Sequence, residues 1–368
     1  MNPETYLICI KMKKSILLLL GTVFLGSSVF AIDFNQYFTQ KSCRVDFHFV
    51  GDYQNTWMAL SQIQQEPFWG GRTHQLDTEA GLGDFRYRVL DSTSNKLIYT
   101  DGFSALFHEW QSTPEAKTAV KSYEQTIIFP FPLKTVKVFV DKRTNFDSWE
   151  NIGEMLVNPN DKLIRINKAD RVPVQKWLSQ PDASKAIDIA ILAEGYAAKD
   201  KAKFYKDAER LKNQLLTHEP FKRYASRLNF YAVAAVSEES GISKPHENSW
   251  KNTAMASHYH TFYAPRYLTT GSVFKTRDFA GQVPYDAIYI LANSQTYGGG
   301  GIYNHYALTS SDGRNSTYVT VHEFGHSFAG LADEYFREGA DVLDAMYTTD
   351  KEPWEHNITT LVNFDAKW

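Results

Sequence analysis

The sequence predicts an antiparallel β-sandwich followed by a mixed α/β domain. Three observations predict it. Apolar and polar residues alternate over 43–49, 85–89 and 136–140, and a period of two belongs to a strand with one buried face. Two continuous apolar runs, 187–192 and 228–236, enclose Phe204, Ala208, Leu211 and Leu215 at helical spacing, which is the strand–helix–strand order of an α/β unit. The grammar changes between these halves in a polar stretch, 169–185, that carries Pro173 and Pro181 and reads as a linker.

Ahead of the first strand, Lys11, Lys13 and Lys14 precede an apolar run over 16–25, and Ser27, Ser28 and Ala31 lead to a cut. These are the three parts of a secretory signal peptide, 1–31. The run falls short of the roughly 20 residues that span a bilayer, so no membrane span is expected. Cleavage near Ala31 would leave Cys43 as the sole cysteine of the two in the chain, and no intrachain disulfide could form. Export without disulfides suits a bacterial protein that is secreted or periplasmic. A formal net charge of −3 offers no basic field to a nucleic acid. No feature reports an oligomeric state.

The sandwich is expected over 32–168, with Val45, Phe47 and Phe49 inward and Arg44, Asp46 and His48 outward, and with Phe85, Tyr87 and Val89 and then Val136, Val138 and Val140 repeating the pattern. His48, His74 and His108 read as ordinary surface or hydrogen-bonded histidines. The second domain is expected over 186–368. Its apolar strands include 286–291, preceded by a long segment, 237–284, without clear period, in which His258 and His260 stand two apart and could serve a metal. Four glycines follow, Gly298 to Gly301. A phosphate loop would continue with Lys and Ser or Thr, whereas Tyr303, Asn304 and His305 stand here, so nucleotide binding is excluded. The glycines read either as a plain turn or as close backbone approach, with 303–309 as a short strand whose edge could hold an extended peptide.

Residues 317–329 have the length and apolar content of a buried helix, with Val319, Phe324 and Phe328 as packing residues, capping candidates at Asn315, Ser316 and Thr317, and Gly330 at its end. On that helix His322 and His326 share one face, with Cβ atoms roughly 5–6 Å apart, so both imidazoles can reach one ion while Glu323 reaches a water upon it. The bare HExxH is suggestive; its flanks sharpen it. A glycine after the second histidine lets the chain swing back, as in the metzincin pattern HExxHxxGxxH. Here Gly330 stands one residue later and Asp333 replaces the third histidine. Asp333 keeps the three-residue offset and is the expected third ligand, with Glu334 its competitor. Tyr335 and His305 are candidates for the donor to a tetrahedral oxyanion.

HEFGHSFAGLADEY, together with IDIAILAEGY at 187–196, resembles peptidase family M64, founded on a bacterial immunoglobulin A metallopeptidase. The resemblance covers nearly all of the mature chain. It implies an α/β (α+β) metzincin-like zinc peptidase domain preceded by an antiparallel β-sandwich domain. It also implies a secreted, zinc-dependent endopeptidase acting on a protein or peptide, with a metal-activated water and Glu323 as base. Family members usually run on beyond the point where this chain stops, so a C-terminal part of the catalytic domain, including a Met-turn, is expected to be missing; Met346 is the one candidate for it and reads better as an ordinary methionine. The competing reading is a binding protein whose sandwich engages a cell-surface or host ligand beside an inactive or structural metal site. A third is hydrolysis of a non-peptide amide.

Overall fold

The first long strand buries both of its faces, and that double burial joins the two halves of the protein. In the computed structural model, residues 32–169, 171–334, 347 and 350–368 are described. Residues 1–31, read above as a signal peptide, Tyr335 and Met346 lie outside the described residues.

The N-terminal elements are α1 (Phe34–Tyr37), β1 (Phe38–Gly51), β2 (Thr56–Glu66), β3 (Phe85–Asp91), β4 (Leu97–Phe103), α2 (Leu106–Gln111), β5 (Lys121–Pro132), β6 (Val136–Asn145), β7 (Ser148–Val157) and β8 (Arg165–Ile166). They form two four-stranded sheets, ordered β5-β1-β2-β8 and β4-β3-β6-β7. Val45, Phe47 and Phe49 of β1 share one core with Phe85, Tyr87 and Val89 of β3 and Val138 of β6; the rings of Phe49 and Phe85 stack at 4.5 Å. The alternation in the sequence is this core.

The outward set on β1 behaves otherwise. Arg44 and Asp46 are fully buried, because the helix Val273–Ala280 lies across them. Arg44 donates twice to Asp46, at 2.6 and 2.9 Å, and also to Asp278 at 2.7 Å and the Phe274 carbonyl at 2.9 Å. A guanidinium this deep is tolerable only when its donors are met in this way.

The second half comprises β9 (Val174–Trp177), β10 (Ile187–Glu194), α3 (Lys201–Leu215), β11 (Leu228–Val233), α4 (Val273–Ala280), β12 (Ala287–Ala292), β13 (Gly299–Ile302), β14 (Tyr306–Ser310), α5 (Ser316–Ala329) and α6 (Phe364–Lys367). One six-stranded sheet runs β13-β14-β12-β10-β11-β9. Its four inner strands are parallel and its two edges antiparallel. Inner strands covered on both faces read as continuous apolar runs; the exception, Asp188 on β10, accepts hydrogen bonds from Asn229 at 2.9 Å and Tyr231 at 3.0 Å. Phe204, Ala208, Leu211 and Leu215 of α3 pack with Phe324 of α5 on one face. Ala280 of α4, with Met255, Tyr259 and Leu268, covers the other.

Three expectations need correction. The linker stretch contains β9, an antiparallel edge strand on β11. The segment without period contains α4, whose eight residues are too few to show one and whose Thr276 and Arg277 are buried polar residues. Of the two readings left open for the glycine run, the plain turn is the one corrected: the run is a strand whose Gly299 and Gly301 approach α5 closely. Among the described residues no helix is long and apolar enough to cross a membrane.

Candidate metal centre

Helix α5 presents two unlike faces. Phe324 is fully buried, stacked on Phe328 at 5.0 Å and against Phe221 at 5.3 Å. Toward the opposite side, His322, Glu323 and His326 bring ligand atoms within 4.8 Å of one another. The two Nε2 atoms lie 3.1 Å apart, the convergence that spacing of four on a helix allows. The helix starts from Asn315 in the left-handed region, with no side-chain cap bond, so the expected cap is not made.

The exit is built from glycine. Gly330 has φ +63 and donates to the His326 carbonyl at 3.0 Å, while Leu331 donates to Gly325 at 3.3 Å. A Cβ here would meet Trp354 at 2.8 Å and Tyr303 at 3.1 Å, so both the dihedral and the space require glycine. The turn brings the Leu331 carbonyl onto Nδ1 of His326. A carbonyl only accepts, so in the neutral ring the proton sits on Nδ1 and Nε2 keeps its lone pair for an ion. It then brings Asp333, whose Oδ1 lies 3.2 Å from His322 Nε2 and 3.3 Å from His326 Nε2. Glu334 turns instead to Asn357, which donates to it at 3.1 Å.

These charges hold one another. Burial pushes the Glu323 carboxyl up to about 7, against the pull of His326 and His322. Burial would also raise Asp333, but hydrogen bonds from His322 and His326 outweigh it and keep that carboxyl well below the usual range. Burial would lower His326, yet Asp333, Glu323 and the Leu331 carbonyl raise it to about 9.

The glycine strand β13 lies directly on this face. A Cβ at Gly299 would sit 2.5 Å from Glu323 Oε1, and one at Gly301 would sit 2.4 Å from the Glu323 carbonyl oxygen and 2.8 Å from His326 Cβ. At Gly299 and Gly301 the helix occupies the place of a side chain, and at Gly300 the Leu268 carbonyl and the Tyr267 ring do. Gly299 pairs outward, its N–H with Arg266 at 3.4 Å and its carbonyl with Leu268 at 3.1 Å. By the alternation of antiparallel pairing, Gly301 also faces outward. The glycine strand is therefore the outermost strand of the sheet, covered at Gly299 by residues 266–268; residues 306–310, as β14, are paired on both sides.

Residues 175–368 match the family profile described as IgA Peptidase M64, and residues 33–152 match Peptidase M64 N-terminus. The chain belongs to peptidase family M64. No curated protein sequence matches it. Membership makes protein or peptide the substrate class of this M64 peptidase, and the His322, Glu323 and His326 group is its candidate metal site.

Other candidates in the M64 chain fall elsewhere. His305 is buried just before β14 with Nδ1 3.3 Å from the Arg277 guanidinium, and burial together with Arg277 pushes it well below the usual histidine range; this contact occupies Nδ1 and leaves Nε2 as the ring's donor. Tyr335, the other donor candidate, lies outside the described residues. His258 contacts the Tyr259 carbonyl at 2.8 Å, and His260 stacks on His246 at 5.0 Å, so neither joins the metal group. Two contributors escaped sequence reasoning. Tyr318 stacks on His322 at 6.1 Å, and its position one turn earlier on the helix was the available signal. Glu109 of α2 accepts from Tyr267, and burial raises its carboxyl to about 7 within the field of His326 and Glu323; no local pattern announces it.

Proposed function

We propose that this M64 peptidase is a secreted zinc endopeptidase in which His322, His326 and Asp333 hold the ion and Glu323 is the general base. One observation carries the reading: a single oxygen of Asp333 lies 3.2 and 3.3 Å from the Nε2 atoms of both histidines. Two imidazole nitrogens and one carboxylate oxygen are a donor set suited to zinc, and three protein ligands leave a position open. Held by these three side chains, zinc would supply Lewis acidity to a water and to the scissile carbonyl. Glu323, whose carboxylate lies within 4.8 Å of both histidine ligand atoms, would take the water's proton and return it to the leaving amine. The outward edge of β13 at Gly301 offers main-chain groups to an extended peptide.

The wider architecture supports a β-sandwich followed by a metzincin-like domain. Two four-stranded sheets share a core, and a mixed sheet with an antiparallel glycine edge precedes a helix that ends in a glycine turn. Secretion rests on the basic, apolar and small-residue order of 11–31.

The test compares the protein with Glu323→Gln, measuring zinc content and cleavage of a mixed peptide library. Both should bind zinc, and the variant should lose about 10²–10⁴-fold in cleavage rate. Zinc binding without Glu323-dependent cleavage would overturn the assignment.

A further inference from the structure

Asp333 and Glu334 are neighbours of like chemistry, and their own sequence does not determine which one turns to the histidines. Consecutive side chains leave non-helical backbone in different directions, so whatever fixes the backbone beside them assigns both. That anchor is at Ala332. Asn357 Oδ1 accepts from the Ala332 N–H at 2.9 Å, and Asn357 Nδ2 donates to the Ala332 carbonyl at 2.8 Å and to Glu334 Oε1 at 3.1 Å. One amide thus pairs with both polar groups of one residue and holds the competing carboxylate.

We infer that Asn357 is a positioning residue that selects Asp333 over Glu334 as the third ligand, an inference that rests on the metal-site reading above. The amide is itself mounted firmly. Three residues earlier, Trp354 donates its indole N–H to Asp84 at 2.9 Å and packs its ring on Tyr303 at 5.2 Å. Lys367 ties the segment's interior, bonding Glu352 at 3.2 Å, the Pro353 carbonyl at 2.7 Å and the Ile358 carbonyl at 2.6 Å. The choice of side chain follows from chemistry. An amide has a donor and an acceptor in one planar fork, whereas a carboxylate only accepts. Aspartate at 357 would keep the bond from the Ala332 N–H, lose the bond to its carbonyl and repel Glu334.

The test uses the full chain as Asn357→Asp, Asn357→Ala and Glu334→Gln. Zinc affinity is measured by chelator competition, ligand geometry by the cobalt(II) absorption spectrum, and fold stability by melting in EDTA. The nearly isosteric Asn357→Asp covers the case in which Asn357→Ala fails to fold. Asn357→Asp should weaken zinc by about 10–100-fold, as loss of an outer partner does, and should change the cobalt spectrum. Glu334→Gln should leave both near the parent values. A merely structural role would lower the melting temperature in EDTA while leaving affinity and spectrum unchanged, and that result overturns the inference. Loss of zinc in Glu334→Gln would overturn it too, by making Glu334 the ligand. A parent protein that binds neither metal would overturn the metal-site reading and this inference together; a parent that binds them beside an unaffected Asn357→Asp overturns this inference alone.

Discussion

Oδ1 of Asp333 stands 3.2 Å from Nε2 of His322, where the proposed function puts the third ligand. Asp333→Ala is therefore expected to weaken zinc binding by about 100-fold or more, whereas Glu334→Ala, whose carboxylate meets Asn357 rather than the histidines, shifts it only about two- to three-fold. The same contrast should appear on heating: zinc raises the melting temperature of the parent and of Glu334→Ala, and much less that of Asp333→Ala, since stabilisation by a ligand follows its affinity for the folded state.

Two glycines of the site should respond in opposite directions. Gly301→Ala sets a Cβ 2.4 Å from the Glu323 carbonyl oxygen, a backbone atom that cannot swing aside, and should cost about 1–3 kcal/mol. Gly325, inside HEFGH itself, has only Leu331 Cδ1 at 3.7 Å. Alanine there meets ordinary contact and should stabilise the helix by about 0.5–1 kcal/mol. Urea unfolding of the two variants reads both signs.

Arg44→Met removes the guanidinium that Asp46 and Asp278 contact at 2.6 and 2.7 Å, and leaves Asp46 and Glu66 buried beneath α4. The expected loss is about 3–5 kcal/mol, the scale for breaking one side of a buried ion pair. Calorimetric or denaturant unfolding measures it.

Stability should also fall as pH rises from weakly acidic to neutral, in part through Glu355. Burial and the neighbouring charge of Asp84 raise its carboxyl from the ordinary 4.5 to about 7. Between those values the folded chain binds more protons than the unfolded one, so each step up in pH favours unfolding. Glu355→Gln keeps an acceptor for the Tyr347 hydroxyl, which donates to Glu355 at 2.8 Å, and removes the titration. The variant should exceed the parent by about 1–3 kcal/mol near pH 8 and match it in acid, when unfolding is followed across pH.

Much of the fold was written in local pattern. The alternation through Val45, Phe47 and Phe49, the helical spacing of Phe204 to Leu215 and the apolar runs of β10 and β12 each carry their own burial, because one element's period reports its own buried face. What covers the other face is not local. Arg44 and Asp46 read as outward because nothing near them names α4, which is more than 200 residues away. The glycine strand was ambiguous for a related reason: glycine has little strand propensity, and β13 exists because α5 needs the space. At the site, HExxH announced His322, Glu323 and His326, and the glycine offset favoured Asp333. Glu109 and Asn357 were silent, since both reach the centre by tertiary contact from segments of unremarkable composition.

The Trp354 contact with Asp84 spans 270 positions, and this sets an order of events during synthesis. Asp84 and its sheet emerge early, the helix with both histidines much later, and Asn357 only after the loop it holds. At about 5–20 residues per second the nascent chain carries the two histidines for about a second or more before Asn357, the residue inferred to position Asp333, is made. Under the proposed function the site would therefore be completed last, after the N-terminal sheets have left the ribosome.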